Sequence, residues 1–240
     1  MRVRWTEHWP PELVVYDTPH ECPYLEGKKA RLPMRLPSRM LGPDEVDARL
    51  AEGDRRHGPF LYRPSCQGCQ ACEAIRLDVT QFELRPSHRR ALRKGDAAFT
   101  MELGHPVADA ERLALYDKHK RERGLGSGDG MGVQGYESFL VDRCLDAFEI
   151  RYRHEGTLVA VATTDRGRTS LSAVYTIWDP SFASLGLGTY SVLKQIELCR
   201  EWGMRYLYLG LYVEGNAHMR YKARFRPHER LIDGAWARFD

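Results

Sequence analysis

Three cysteines follow one another at a three-residue spacing, Cys66, Cys69 and Cys72, and a fourth, Cys22, lies far upstream. Thiolates at this spacing can converge on one centre, which is how zinc and iron–sulfur sites are built. A disulfide is less favoured, because nothing else in the chain suggests export to an oxidising compartment. The four cysteines are therefore candidate ligands of a structural zinc ion or iron–sulfur cluster, and reduced thiols without a metal are the alternative.

Basic side chains are concentrated between residues 85 and 94, in a segment that contains no acidic residue. Three of them recur at i, i+4 and i+8, a spacing that places them on one face of a helix. Such a ridge suits a phosphate backbone, and a solvated helix face is the plain alternative. The net charge of only +3 excludes a general polyanion binder. The candidate phosphate-binding residues are Arg85, Arg89, Arg90, Arg93 and Lys94.

The composition is that of a globular protein with a buried core. The 240 residues suffice for one large domain or two small ones, and 42% of them are apolar. No stretch approaches the roughly 20 apolar residues that span a membrane, so no membrane partner is expected. The first residues carry no apolar leader segment, which predicts a cytoplasmic location.

The first 95 residues differ from the rest of the chain in composition and in the regularity of their apolar pattern. Residues 1–95 are rich in Pro, Cys and Arg and hold only short apolar runs, at 13–16, 60–62 and 75–79. The last run alternates and is expected to be a strand, and a short helix is expected over 43–51. So small a core needs a covalent or metal staple. The sequence therefore predicts a small cysteine-rich N-terminal domain over residues 1–95.

Residues 96–240 are more regular and predict a second domain. Helices are expected over 108–123, 136–145 and 190–202, an antiparallel meander over 147–153, 157–164 and 169–178, and a buried strand over 205–213. The glycine-rich run 124–132 predicts a flexible loop. The fold class expected for the whole chain is α+β.

The segment Ser184–Thr189 joins the third strand of the meander to a helix and contains Gly186 and Gly188. Glycines there let backbone amides approach a ligand, and a helix N-terminus favours an anion. A close-packed turn is the alternative. The order of elements is similar to the core of the GCN5-related N-acyltransferase fold, in which this turn holds a pyrophosphate. Ala183 stands where the CoA-binding version usually has a basic or glutamine side chain, which argues against acetyl-CoA.

Several motifs together closely resemble the aminoacyl-tRNA–protein transferases of the N-degron pathway. This family comprises the bacterial aspartate/glutamate leucyltransferases and the arginyl-tRNA–protein transferases, and the similar segments run in order from about residue 16 to residue 228. They are Cys22-Pro23-Tyr24-Leu25, Tyr62-Arg63-Pro64-Ser65-Cys66 with Cys69 and Cys72, Arg85-Pro86-Ser87-His88-Arg89-Arg90, Trp178-Asp179-Pro180, Ser184-Leu185-Gly186, Tyr208-Leu209-Gly210, Met219-Arg220-Tyr221-Lys222 and Phe225-Arg226-Pro227.

The resemblance implies an enzyme that moves an amino acid from charged tRNA to the α-amine of proteins beginning with Asp or Glu, marking them for degradation. No cofactor is required for this transfer, since the aminoacyl ester is already activated. Leucine is the favoured donor and arginine the alternative, because departures from the bacterial pattern at residues 211–218 lie near the expected donor pocket. Two other classes remain open: a CoA-dependent N-acetyltransferase and a non-catalytic, zinc-containing nucleic-acid-binding module.

Roles follow for individual side chains. Aminolysis of an ester needs mainly alignment and a weak proton acceptor, and Asp179 and Glu214 are the candidates. A turn-forming role is the alternative for Asp179, and a loop charge without a catalytic role is the alternative for Glu214. An acidic acceptor side chain calls for a cation, for which Arg76 is the first choice and Arg63 and Lys222 the second. The basic ridge, together with Gly186 and Gly188, is expected to bind the tRNA. Tyr175 and Tyr212 are candidates to stack on its terminal adenine, with a core position as the alternative.

Overall fold

The computed structural model describes residues 4–125 and 130–240 as a mixed assembly of helices and strands. The helices are α1 (Pro43–Ala51), α2 (Pro86–Ala98), α3 (Ala110–Glu122), α4 (Val133–Tyr136), α5 (Leu187–Glu201) and α6 (Ala217–Arg220). The strands are β1 (Glu12–Tyr16), β2 (His20–Glu21), β3 (Lys29–Ala30), β4 (Met34–Pro37), β5 (Arg55–His57), β6 (Phe60–Tyr62), β7 (Glu73–Asp78), β8 (Thr100–Gly104), β9 (Ala147–His154), β10 (Thr157–Arg166), β11 (Ser170–Trp178), β12 (Tyr206–Tyr212), β13 (His228–Ile232) and β14 (Ala235–Phe239).

A large sheet of eight strands organises the molecule, in the order β14-β13-β7-β12-β11-β10-β9-β8. The run β9–β10–β11 forms the antiparallel meander that the alternating sequence predicts. Helix α5 then crosses over, so that β12 returns parallel to β11, as a strand–helix–strand connection requires. A smaller four-stranded sheet, β1-β4-β6-β5, comes from the first 62 residues.

The two faces of the large sheet are covered differently. On one face, α5 and α2 bury a core that includes Ile75, Leu193 and Leu207, each of which is at most 1% exposed. On the other face, α1 packs Val46 and Leu50 against Tyr208 of β12. The central strands are therefore buried on both sides, which is why β12 reads as a continuous run of apolar and aromatic residues.

Strand β7 belongs to the large sheet although it lies in the cysteine-rich part of the chain. It pairs antiparallel with β12 on one side and with β13 on the other. The division into residues 1–95 and 96–240 stays a prediction, and the pairing shows that the two segments share one sheet. The fold is confirmed as mixed helix and strand, whereas a separate cysteine-rich domain is not confirmed.

The elements follow the sequence pattern closely where periodicity is strong. The helix over residues 43–51 and the meander are confirmed. The helix expected over 136–145 is too long, because helical backbone ends at Val141, where a π-helical turn gives way to extended Asp142. Strands β1 to β6, β8, β13 and β14 were not predicted. Part of the glycine-rich run expected to form a loop, residues 126–129, lies outside the described residues. None of the helices described is long and apolar enough to cross a membrane.

Candidate active site

Two adjacent parallel strands separate in the middle of the large sheet. Strands β11 and β12 pair only where Ser170–Ser172 lies beside Tyr206–Tyr208. Beyond that point β11 continues to Trp178 and β12 to Tyr212, and the four β11 residues 173–176 are half-buried although the strand is internal. We call this opening, between residues 173–178 of β11 and 209–212 of β12, the wedge.

Gly210 forms a bulge on the β12 side of the wedge. Its φ of +91° favours glycine, and the register against β7 shifts between Tyr208 and Gly210. A Cβ at this position would lie 3.1 Å from Nη2 of Arg55 and 3.4 Å from Nζ of Lys222. The absence of a side chain at Gly210 thus makes room for two cationic groups. The glycine inside an apolar strand is a sequence signal for such a bulge.

Arg55 enters the wedge from β5 of the small sheet and is 7% exposed. Its Nη1 donates to Ser172 Oγ and its Nη2 to the Ala173 carbonyl oxygen, both at 2.9 Å. No acidic side chain of the described residues lies within 4.0 Å of its guanidinium nitrogens. The sequence did not single out this arginine, and no motif would have separated it from its neighbour Arg56.

Lys222 reaches the same place from the turn after α6 and is 8% exposed. Its Nζ donates to the Leu211 carbonyl oxygen at 2.7 Å. Burial, and next the charge of Arg55, lower the pKa of Lys222 to about 7. Across the part of the chain that the structure covers, no carboxylate forms an ion pair with this ammonium group either.

The other two residues predicted to bind the acceptor already hold carboxylates. Nε of Arg76 donates to Glu229 Oε2 at 2.6 Å, Nη1 donates to the Tyr208 hydroxyl at 3.1 Å, and the guanidinium lies 3.9 Å and 4.0 Å from the centroids of the Tyr206 and Trp236 rings. We call this set of contacts the Arg76 cage. A role for Arg76 in binding the acceptor would require these contacts to be exchanged.

Arg63 lies at the edge of the cysteine segment and is likewise engaged. Its Nε donates to Asp54 Oδ1 at 2.9 Å and its Nη2 to Glu52 Oε2 at 2.7 Å. Among the three predicted acceptor-binding cations, Lys222 alone has no carboxylate partner within the described residues.

The two predicted proton acceptors occupy different positions. Asp179 begins the helical turn Pro180–Leu185, where it accepts from the Ser181 amide at 2.9 Å and from Lys118 Nζ at 2.8 Å. Burial alone would raise the pKa of Asp179, but the bonds from Lys118 and Ser181 outweigh it and hold that pKa below its usual value. Glu214 is exposed in the turn that follows β12. Asp179 is therefore a weaker base than an ordinary aspartate.

Helix α2 carries the predicted basic ridge outward. Its buried face includes His88 and Leu92, and Gly95 packs directly against the ring of Tyr190 in α5. The five basic residues are all exposed: Arg85 immediately before the helix, and Arg89, Arg90, Arg93 and Lys94 on it. The helix is confirmed, and its binding of tRNA stays a prediction.

The predicted glycine turn and aromatic residues flank the wedge. Gly186 has a φ of +67° at the start of α5, and a Cβ at Gly188 would lie 3.7 Å from Nε1 of Trp178. Tyr175 packs edge-on against Phe139, with ring centroids 5.5 Å apart. Tyr212 is 8% exposed, with the Arg230 guanidinium 4.7 Å from its ring centroid. Both tyrosines thus make packing contacts, which is the alternative that their strand positions favour.

The four cysteines are half-buried and unbridged. Three of them, Cys66, Cys69 and Cys72, line a cleft of about 1020 Å³. Burial, and next the neighbouring Cys22, Cys66 and Cys69, raise the pKa of Cys72 to about 12, so the thiols lie near one another. In residues 4–125 and 130–240, however, no three Cys, His, Asp or Glu side chains are arranged to hold a metal ion. The donor chemistry suits zinc or an iron–sulfur cluster, but the positions observed do not form a metal site.

Comparison with known proteins agrees with the motifs. A family model described as "Arginine-tRNA-protein transferase, C terminus" matches residues 111–232, and the corresponding N-terminus model matches residues 20–90. Proteins named aspartate/glutamate leucyltransferase are similar over most of the chain. They are 39% identical over 220 residues in Halorhodospira halophila (90% of this chain, 92% of that protein) and 36% identical over 218 residues in Thiobacillus denitrificans (90% of both). The chain belongs to the family of aminoacyl-tRNA–protein transferases and is thus an aminoacyltransferase.

Solved structures resemble the chain more weakly. The C-terminal domain of a putative lysylphosphatidylglycerol synthetase from Agrobacterium fabrum aligns with a TM-score of 0.49 and 14% identity, covering 83% of this chain and 64% of that one. The structure of a protein called L-PGS from Bacillus licheniformis aligns with a TM-score of 0.49 and 13% identity, covering 71% of this chain and 59% of that one. Likenesses this weak establish neither the fold nor the activity.

Proposed function

We propose that this protein transfers leucine from charged tRNA to the α-amine of proteins that begin with Asp or Glu, which marks them for degradation. The observation that carries the proposal is the 36–39% identity, over at least 90% of both chains, to proteins named aspartate/glutamate leucyltransferase. The family models bear the arginyl name, so arginine is the second donor to test.

The transfer reaction needs little chemical assistance from the protein, because the aminoacyl ester is already activated. The neutral α-amine attacks the ester carbonyl carbon, a C–N bond forms as the C–O bond to the tRNA ribose breaks, and the proton lost by nitrogen ends on the released ribose hydroxyl. An α-amine has a pKa of roughly 7.7–8.0, so a useful fraction is neutral near pH 7. Alignment of the two substrates therefore supplies most of the rate enhancement.

The wedge is the proposed place of this alignment. It lies where the sheet opens between two parallel strands, and α5 begins beside Trp178 at its outer end. We infer that residues 96–240 form the acyltransferase-like part and that residues 1–95 complete the acceptor side. The bonds from Arg55 to Ser172 and Ala173 support this arrangement, because they join the two segments at the wedge.

The exposed cations of α2 are the proposed tRNA backbone surface, with the turn at Gly186 and Gly188 nearer the aminoacyl end. Contacts of this kind are sequence-independent and weaken with salt. For the proton acceptor we favour Glu214 over Asp179, because the Lys118 ion pair keeps Asp179 ionised and weakly basic.

A structural metal at Cys22, Cys66, Cys69 and Cys72 is proposed separately and takes no part in the transfer step. The proximity of the four thiols supports it, and their present spacing requires an adjustment before they could bind one ion. Metal analysis of protein purified under reducing conditions tests the idea, since a cluster absorbs visible light and zinc does not. Metal-free protein with full activity would contradict it.

A mass-spectrometric transfer assay tests the function. Purified protein is incubated with a pool of charged tRNAs and with peptides that differ only in their first residue: Asp, Glu, Asn or Lys. A gain of one leucine on the Asp and Glu peptides is expected, whereas a gain of arginine would reassign the donor. Uncharged tRNA with acetyl-CoA is the matched control, and an acetyl gain there would instead indicate an N-acetyltransferase.

A further inference from the structure

Buried arginines in this protein are typically paired with a buried carboxylate. Arg56 lies 2.7 Å from Asp165, Arg49 lies 2.6 Å from Glu12, and Arg35 lies 2.6 Å from Asp54. Arg112 forms the same kind of pair with Glu149. Pairing is expected, because a buried charge is costly unless an opposite charge and hydrogen bonds compensate for it. In each of these pairs the positive charge is balanced by a carboxylate of the protein itself.

Arg55 and Lys222 break this pattern. Each is more than nine-tenths buried, and within the described residues each donates only to neutral atoms. Arg55 donates to Ser172 Oγ and the Ala173 carbonyl, and Lys222 donates to the Leu211 carbonyl and, at 3.7 Å, to Met219 Sδ. Both approach the position that a side chain would occupy at Gly210. Burial first, and next repulsion by the nearby charge of Arg55, lower the pKa of Lys222. An anion between them would relieve the repulsion.

The location limits what that anion can be. The two cations lie in the wedge, beside the half-buried residues 173–176 through which the sheet opens. The tRNA phosphodiesters have the exposed cations of α2 as a matching surface, whereas the interior site suits one small anionic group. In an N-terminal Asp or Glu, the side-chain carboxylate is only a few covalent bonds from the α-amine. A carboxylate bound here would therefore hold the amine within the same opening.

We propose that Arg55 and Lys222 form the subsite that binds the side-chain carboxylate of the acceptor's first residue, an inference that rests on the proposed transfer reaction. Arg55 supplies a planar guanidinium that is already held in place by Ser172 and Ala173. Lys222 supplies a second positive charge, and its Nζ lies nearly as close to the missing Gly210 side chain as the guanidinium of Arg55 does. The glycine at the bulge keeps the space between them open. Acceptor selection is thus assigned to these two residues and not to Arg76.

The test compares two peptides that differ only by Asp or Asn at the first position, which have nearly the same shape but different charge. With saturating leucyl-tRNA, kcat/KM is measured for each peptide with wild type, Arg55→Gln and Lys222→Met. Each substitution is expected to lower the Asp/Asn ratio of kcat/KM by about 30-fold or more, because one partner of a buried charge pair is lost. The decrease comes from the Asp peptide.

The matched control is Arg56→Gln. Arg56 is the next residue of β5 and is equally buried, but its guanidinium is paired with Asp165. Its loss is expected to lower the stability of the protein and to leave the Asp/Asn ratio unchanged. If Arg55→Gln does not fold, Arg55→Lys is measured in its place. This variant retains a positive charge but lacks the planar guanidinium, so its Asp/Asn ratio of kcat/KM is expected to fall by a smaller factor.

The outcomes separate the two proposals. If wild type transfers no amino acid to any peptide, the proposed function itself fails. If wild type prefers Asp but the folded Arg55 and Lys222 variants retain that preference, the subsite is overturned while the function stands. An equal loss on both peptides, with a raised KM for charged tRNA, also overturns it, because the cations would then bind the tRNA end.

Discussion

The Arg76 cage and the wedge both contain buried cations, but only one of the two regions is complete. In the cage, the guanidinium of Arg76 has a carboxylate from Glu229, a hydroxyl from Tyr208 and an aromatic ring on each side. In the wedge, Arg55 and Lys222 have only uncharged oxygen and sulfur atoms as partners among the residues described. The first region stabilises the fold, whereas the second holds charge that a ligand can use.

The difference shows that the partners of a cation, and not its residue type, indicate its role. A buried charge with all of its partners in place contributes to structure, and removing it leaves its partner uncompensated. A buried charge without an opposite charge destabilises the free protein and is retained where a ligand needs it. The following predictions test this contrast, beginning with the largest effect.

Arg76→Gln is expected to lower the free energy of unfolding by about 3 kcal/mol, because Glu229 loses its partner and two aromatic rings lose their cation. Chemical denaturation followed by circular dichroism measures this change. Glu229→Gln is the matched control and should cost a similar amount. The Asp/Asn preference of the folded Arg76→Gln protein is expected to equal that of wild type, and a selective loss on the Asp peptide would instead place Arg76 in the acceptor site.

Lys222→Met is expected to act on the pH dependence of stability. The pKa of Lys222 is about 7 in the folded protein and about 10.5 without the fold. Between these values the unfolded chain binds one more proton than the folded chain, so this residue makes stability rise with pH. From pH 7 to pH 9 its contribution amounts to about 2 kcal/mol. The variant should lack that rise in the free energy of unfolding. If plots of this free energy against pH were parallel for the variant and wild type, the lowered pKa of Lys222 would be contradicted.

The exposed cations of α2 form a third class, which is neither buried nor, within residues 4–125 and 130–240, paired with a carboxylate. Arg89→Gln or Arg93→Gln should raise the KM for charged tRNA about two- to fivefold and reduce the slope of log affinity against log salt by about 0.7–0.9. Lys28→Gln, an exposed change in the turn between β2 and β3, is the control. Unchanged salt dependence in both α2 variants would remove this helix from the tRNA surface.

The sequence predicted the scaffold better than the site. The meander, helix α1 and the α5–β12 unit follow from local periodicity, which a single sequence records directly. Strands β13 and β14 were missed because His228–Ile232 and Ala235–Phe239 mix charged and apolar residues without clear alternation. The family was predicted from motifs and is confirmed.

The role of a residue depends on contacts between distant parts of the chain, and a single sequence does not predict these contacts. Arg76 and Glu229 are 153 positions apart, so nothing local showed that the arginine is already paired. Likewise, Arg55 and Arg56 are adjacent in sequence, but β5 alternates their directions. One therefore faces Ser172 and the other Asp165. The cysteine spacing indicated thiols that lie close together but could not fix the metal geometry.

The central position of β7 has a consequence for how the protein is made. Its neighbours, β12 and β13, begin at residues 206 and 228, so both are translated long after β7 itself, which ends at residue 78. At about 5–20 residues per second, β7 leaves the ribosome roughly ten seconds before its neighbours are available. During that interval a strand that is almost entirely buried in the finished sheet stays without hydrogen-bonding neighbours. Until β12 and β13 have been translated, β7 therefore needs temporary cover, either from the segment that precedes it or from another protein.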